Sequence, residues 1–237
     1  SSFRDFPGRP SLWGRGAPMG AATSRAACCA RAREAEDQAV WYFVRHGQAA
    51  PAPDESWESD ASRGLTEAGR QELASRRKSW LEGEGLYWSK AAQDLPDRFL
   101  AASPATRCVE TASELLGVAA LDVTPVPFVY DGLGARGRDF ARLFQQHGYV
   151  PVRQYLETDV EGAVGAYGHR ALSDVFQCLP PMPPRVVLVF GHAVGLAAMA
   201  LALAELRKIA ELDAILDAVQ AEGAAFKVSL TEVSYLE

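Results

Sequence analysis

From Ala39 onward the chain alternates short apolar runs with longer stretches of helical period. Ala39–Val44 (AVWYFV) is aromatic and β-branched and runs into Gly47 and Pro51, which predicts a buried strand. Residues 48–64 are polar and proline-containing, the composition of a loop. Thr66 to about Glu82 carries Ala68, Leu73, Ala74, Arg77 and Leu81 near helical spacing, with Thr66 as its N-cap. Arg98–Ala102 predicts a second strand. A helix then follows, with Ser103 as N-cap, Pro104 in its first position, Leu115 and Leu116 on its apolar face and Gly117 at its end.

Val123–Val129 reads as a third strand, placed near a sheet edge by its two prolines. Residues 137–147 and 166–178 have weaker helical periods, and Arg185–Phe190 (RVVLVF) is the clearest strand of all. Helices are expected at 193–206 and about 208–221, and FKVSLTEVSYLE closes the chain as a strand or hairpin. This order predicts an α/β sandwich with a mostly parallel sheet, formed as one domain over residues 39–237.

Composition narrows the function. The chain has 237 residues, 48% of them hydrophobic, and a net charge of −6. Residues 1–38 carry +2 and the remainder −8, so the domain is a poor partner for nucleic acid, and any anion it binds must be met by a few local cations. No apolar run reaches the roughly 18–20 residues of a membrane span; the 193–206 stretch reads as a buried helix. The four cysteines (Cys28, Cys29, Cys108, Cys178) form no CxxC pair, which argues against a disulfide framework or zinc site and fits a reducing compartment such as the cytoplasm. The chain contains no Asn and hence no N-glycosylation acceptor.

Residues 1–38 are rich in Arg, Ala, Gly and Ser, lack a hydrophobic period and read as a disordered or targeting segment outside the fold. Six arginines fit an organellar transit peptide. If Met19 is an initiator, MGAATS instead matches the pattern for N-myristoylation at Gly20. Palmitoylation at Cys28 and Cys29 would then complete a membrane anchor.

Three predicted strands end in reactive residues: the first in Arg45-His46-Gly47, the second in Ser103-Pro104 with Arg107 one turn on, and the 185–190 strand in Gly191-His192. Ligands of open α/β sheets bind beyond the carboxyl ends of strands. If these strands are neighbours, two histidines and two arginines converge, and helix N-termini add N–H donors. Arginines offer bidentate donors suited to a phosphoryl group. A histidine among them is held neutral and is then a nucleophile able to form a covalent intermediate. No carboxylates group with the histidines at metal-ligand spacing, so no metal or other cofactor is implied. His147 and His169 read as loop residues. GHAVG is no nucleophile elbow, since its central residue is Ala193 rather than Ser.

Four stretches in this order, VRHGQ (44–48), LTEAGRQEL (65–73), SPATRCVETASEL (103–115) and VVLVFGHAVG (186–195), resemble the histidine phosphatase superfamily, with its phosphoglycerate-mutase-like three-layer α/β/α fold. The resemblance implies that His46 becomes phosphohistidine, that Arg45 and Arg107 clamp the phosphoryl oxygens, and that His192 completes the pocket. It also implies that Gly47 lets the backbone approach the phosphate. Donors of this type are typically worth ~3–4 kcal/mol each. A general acid is expected after the third strand. Asp131 of PFVYDGLG is the candidate and Asp139 the second choice.

D-x-x-R-x-L-T within DASRGLTEAGRQEL is similar to the small branch of phosphohistidine and phosphoprotein phosphatases. The mutases' Asn after RHG is missing, and Ala193 and Val194 follow His192 where many relatives have Gly or Asn. The expectation is a metal-independent phosphatase acting on a phosphorylated small molecule or phosphoprotein. The alternatives are a phosphoglycerate-mutase-type phosphotransferase and a catalytically weak phosphate-binding module.

Overall fold

The computed structural model describes residues 39–54, 56–84, 98–131 and 138–237, with the backbone alone for 78–82 and 131. The N-terminal segment, with Gly20, Cys28 and Cys29, lies outside these residues. Four strands form the parallel part of the sheet: β1 (Val40–Arg45), β2 (Arg98–Ala102), β3 (Thr124–Pro125) and β4 (Val186–Gly191). β5 (Ala225–Val228) and β6 (Val233–Leu236) form the expected closing hairpin, β5 running antiparallel to β1 and β6 antiparallel to β5. The strand order is β3-β2-β4-β1-β5-β6, so β4 is inserted between β1 and β2 and the three strands with reactive ends are neighbours.

Both faces of β1 are covered, which is why it reads as a continuous apolar run rather than an alternating one. Trp41 and Phe43 point into a core built largely on helices α5 (Arg138–His147), α6 (Val152–Thr158), α7 (Ala163–Cys178) and α8 (Ala193–Leu206). Tyr42 and Val44 point into a second core with Cys108, Ala112, Leu115 and Leu116 of helix α3 (Thr106–Leu116). The sandwich therefore has three layers. Helix α2 (Glu67–Gly83) begins as expected, with the Thr66 hydroxyl accepting the Gly69 N–H (3.0 Å), and is tied to α3 by Arg70 on Glu110 and Glu114. Gly117 ends α3 in the left-handed region (φ 68°).

Several elements differ from expectation for local reasons. The 48–64 loop contains a short helix, α1 (Trp57–Ser62), capped by the Ser56 hydroxyl on the Ser59 N–H. The third strand shrinks to two residues on the sheet edge, and the chain turns into helix α4 (Phe128–Asp131). α7 starts at Ala163, ahead of the expected 166, because the Asp159 carboxylate accepts the N–H groups of Ala163 and Val164 (2.7 Å each). The expected 208–221 helix survives as one turn, α9 (Asp213–Leu216). Buried Gln220 is diverted to the sheet, where its amide donates to the carbonyls of Phe43 (2.7 Å) and Ala224 (2.9 Å).

α7 and α8 approach closely at Gly168, where an added Cβ would lie 2.2 Å from the Ala198 carbonyl oxygen. Gly168→Ala is therefore expected to lower unfolding stability by about 2–3 kcal/mol, the scale of forced overpacking. Gly165→Ala on the same helix meets nothing within 4 Å and should be neutral or stabilising. Urea titration of both variants checks this; equal effects would contradict it.

Candidate active site

The sheet delivers His46, Arg107 and His192 to one rim. The His46 N–H donates to the Gly191 carbonyl (3.0 Å) and the Ser103 N–H to the Phe190 carbonyl (2.8 Å), so the ends of β1, β4 and β2 are stitched together. The rings of His46 and His192 lie 5.3 Å apart between centroids.

His46 is 6% exposed. Its Nδ1 is 2.8 Å from the Gly47 carbonyl oxygen, which can only accept, so Nδ1 carries the proton and Nε2 the free lone pair. Burial lowers the imidazole pKa, the bond to Gly47 opposes this, and the charges of Arg107, Arg45 and Arg63 lower it further, to about 3. The His192 pKa is held well below its ordinary value by burial, then by His46 and the same arginines. Its Nε2 shares a hydrogen bond with the buried Ser103 hydroxyl (3.0 Å), and its Nδ1 lies 3.5 Å from Arg107 Nη2. Ser103 was expected to cap α3; its hydroxyl instead faces His192 and accepts the Ala105 N–H, and α3 begins three residues on at Thr106.

Gly47 has a packing reason for lacking a side chain, since a Cβ would lie 2.7 Å from Leu73 Cδ1. Its N–H is given to the Thr111 hydroxyl (3.0 Å), which in turn donates to the Arg107 carbonyl (2.6 Å). The nucleophile turn and the start of α3 are thereby coupled.

Two residues that sequence reasoning did not assign to the site, Asp60 and Arg63, stand in its centre. The Asp60 carboxylate accepts from Arg107 Nη2 (2.8 Å), from the Tyr130 hydroxyl (2.6 Å) and from Arg63 Nη2 (2.8 Å), while its carbonyl accepts from Arg107 Nη1. Burial pushes its pKa up, but the bonds from Tyr130 and Arg107 and the charges of Arg107 and Arg63 outweigh this and hold it below the usual carboxylate range. The signal was present in D-x-x-R-x-L-T, whose Asp and Arg are these two residues. Arg45 donates to the Gln220 carbonyl (2.6 Å) and lies over the Tyr149 ring at 5.2 Å. The Nε–H groups of Arg45, Arg63 and Arg107 are buried and find no acceptor among the described residues.

Asp60, Arg63, Arg107 and His192 line one cavity of about 230 Å³, together with Tyr130. Asp131 follows Tyr130 at the end of α4, and its side chain lies outside the described residues. Asp139 lines a separate cleft with Arg138 and Arg170. His147 and His169 sit on helices α5 and α7, paired with Thr158 and Glu205, rather than in the loops expected. Among the described residues no cluster of three or more His, Cys, Asp or Glu is placed to hold a metal, and no helix is long and apolar enough to cross a membrane.

No family model and no curated protein matches the sequence. Solved structures similar to it include the protein histidine phosphatase SixA complexed with tungstate. That match has 20% identity and a TM-score of 0.41 and covers 84% of this chain and 94% of that one. A phosphoserine phosphatase from Entamoeba histolytica is 12% identical, with a TM-score of 0.48 and coverage of 84% and 97%. A phosphoglycerate mutase from Bacillus anthracis is 13% identical, with a TM-score of 0.44 and coverage of 85% and 93%. At these identities and TM-scores no activity carries across, and the chemistry is read from this chain's own side chains.

His46 should stay neutral from pH 8 to about pH 4, with the proton on Nδ1, in ¹⁵N-detected imidazole spectra; titration near the ordinary value of ~6.5 would contradict this. The sign for stability follows. Below pH ~6.5 the unfolded imidazole takes a proton that the folded one refuses. His46 therefore contributes stability above that pH, and the contribution is lost as pH falls towards 3.

Asp60→Asn removes the carboxylate that, among the described residues, pairs with Arg107 and Arg63. Its melting temperature should fall in phosphate-free buffer and recover more steeply with added phosphate than that of the parent protein. An equal phosphate response in both would contradict this role.

Proposed function

We propose that the protein is a metal-independent phosphatase that hydrolyses a phosphomonoester, free or on a protein, through a phosphohistidine at His46. The observation that carries this reading is the set of three buried guanidinium Nε–H donors without acceptors among the described residues, on arginines whose charges act on an imidazole with its free lone pair on Nε2. Buried donors are rarely left unpaired, and arginine forks match the oxygens of a phosphoryl group.

In the first step the His46 Nε2 lone pair forms a bond to phosphorus. The bond from phosphorus to the ester oxygen breaks, and that oxygen takes a proton from Asp131. In the second step a water oxygen attacks phosphorus while the Asp131 carboxylate accepts the water proton. The N–P bond breaks and returns its electron pair to Nε2. Arg45, Arg63 and Arg107 meet the charge on the non-bridging oxygens, and His192 completes the enclosure. Gly47, bare of a side chain, lets the backbone approach the phosphoryl group. The assignment of Asp131 rests on its position directly after Tyr130, whose ring lines the cavity. Ionised Asp60, fixed by three donors, is unsuited to donate a proton. A mutase would use the same residues but pass the phosphoryl group to a second hydroxyl instead of water.

Hydrolysis of p-nitrophenyl phosphate with EDTA present tests the reading. The parent protein should turn over, His46→Ala should not, and Arg107→Ala should lose about 10²–10³ in rate. Asp131→Asn should slow alkyl phosphates more than this activated ester. No turnover by the parent protein, or full activity in His46→Ala, would overturn it.

A further inference from the structure

The cavity that reaches His192 and Arg107 is walled on its outer side by aromatic rings. Trp57 and Tyr149, 42% and 60% exposed, both line this cavity. Neither ring is a loose surface residue. Trp57 stacks on Tyr130 with centroids 4.2 Å apart and planes 29° from parallel, and Tyr130 is in turn fixed by its hydrogen bond to Asp60. Tyr149 is held edge-on by Phe144 (5.2 Å, 84°) and from above by the Arg45 guanidinium. Phe140 completes the apolar wall.

Two held aromatic rings thus line the cavity together with Arg63, Arg107 and His192. The cavity volume of about 230 Å³ lies below the ~300 Å³ at which pockets for drug-sized ligands begin, a size suited to a phosphoryl group and one ring. A flat ring with no polar atom beyond its bridging oxygen leaves nothing unsatisfied against these walls. A hydroxyl- or amine-bearing aliphatic chain would.

Resting on the phosphatase reading above, we propose that the substrate is an aryl phosphate: a phosphoryl group on a single phenyl ring, the ring lodged against Trp57 and Tyr149 and the phosphoryl group on the arginines. The same chemistry is presented by a phosphotyrosine side chain and by a free phenolic phosphate.

Because aryl esters are intrinsically more reactive than alkyl esters, binding rather than turnover is the clean test. Calorimetric titration with tungstate, methylphosphonate, benzylphosphonate and cyclohexylmethylphosphonate separates the anion site from the ring site. Benzylphosphonate should bind at least about threefold more tightly than its cyclohexyl counterpart, the size of one favourable aromatic contact. In Trp57→Ala and in Tyr149→Ala the ratio of benzyl- to methylphosphonate affinity should fall by about three- to tenfold. Two separate variants guard against one merely disturbing Tyr130 or Arg45.

Equal affinity for the flat and the puckered ring, or an unchanged ratio in both variants, overturns the aryl assignment. If tungstate and methylphosphonate bind in those experiments, the phosphatase reading survives; if they do not bind at all, both readings fall. The kcat/KM for a phosphotyrosine peptide against free O-phosphotyrosine then identifies the source. A higher value for the peptide indicates a protein side chain, and a lower one a free metabolite.

Discussion

Three guanidinium groups held beside two imidazoles are the constraint around which the rest of the site is arranged. Like charges so close, and so far from water, are costly unless anionic oxygen is brought to them. The protein meets part of that demand itself, with Asp60 on Arg107 and Arg63 and the Gln220 carbonyl on Arg45. It leaves one N–H of each arginine unanswered among the described residues. Burial above all, and then the same field, drive the proton off His46 and His192, so the cations that would bind a phosphoryl group also help keep its nucleophile neutral. The bond to the Gly47 carbonyl then selects which ring nitrogen is free.

The fold sustains this by insertion. β4 enters between β1 and β2, and backbone bonds at the rim hold the residue after β1 to the last residue of β4, and the residue after β2 to Phe190. Helix α1 contributes Asp60 and Trp57 to the cavity lining. Because α1 is short and none of its residues is buried, its placement depends on the polar contacts of Asp60 and the stacking of Trp57 on Tyr130. The segment that orders the arginines is therefore itself ordered by them.

The parts of this arrangement legible in the sequence were those set by hydrophobic run and motif: the strands ending at His46, Ser103 and His192, the helix at 193–206, the closing hairpin, and Arg107 one turn into its helix. Asp60 and Arg63 were not recognised as site residues, because their stretch is polar and its helix is held by contacts made far along the chain. Ser103 reads as an N-cap on local grammar, yet its hydroxyl is claimed by His192, 89 residues away. The 208–221 period failed as a helix because Gln220 is needed by the sheet. In each case a tertiary partner overrode a sound local signal.

The measurement that bears most directly on this account is the chemical identity of the trapped intermediate. The protein would be mixed briefly with an excess of aryl phosphate, quenched in alkali and analysed by mass spectrometry and ³¹P NMR. The account requires an acid-labile, alkali-stable phosphoryl group on His46, attached at Nε2, since Nδ1 is committed to the Gly47 carbonyl. A phosphoryl group at Nδ1, on another residue, or hydrolysis without any covalent intermediate would contradict it.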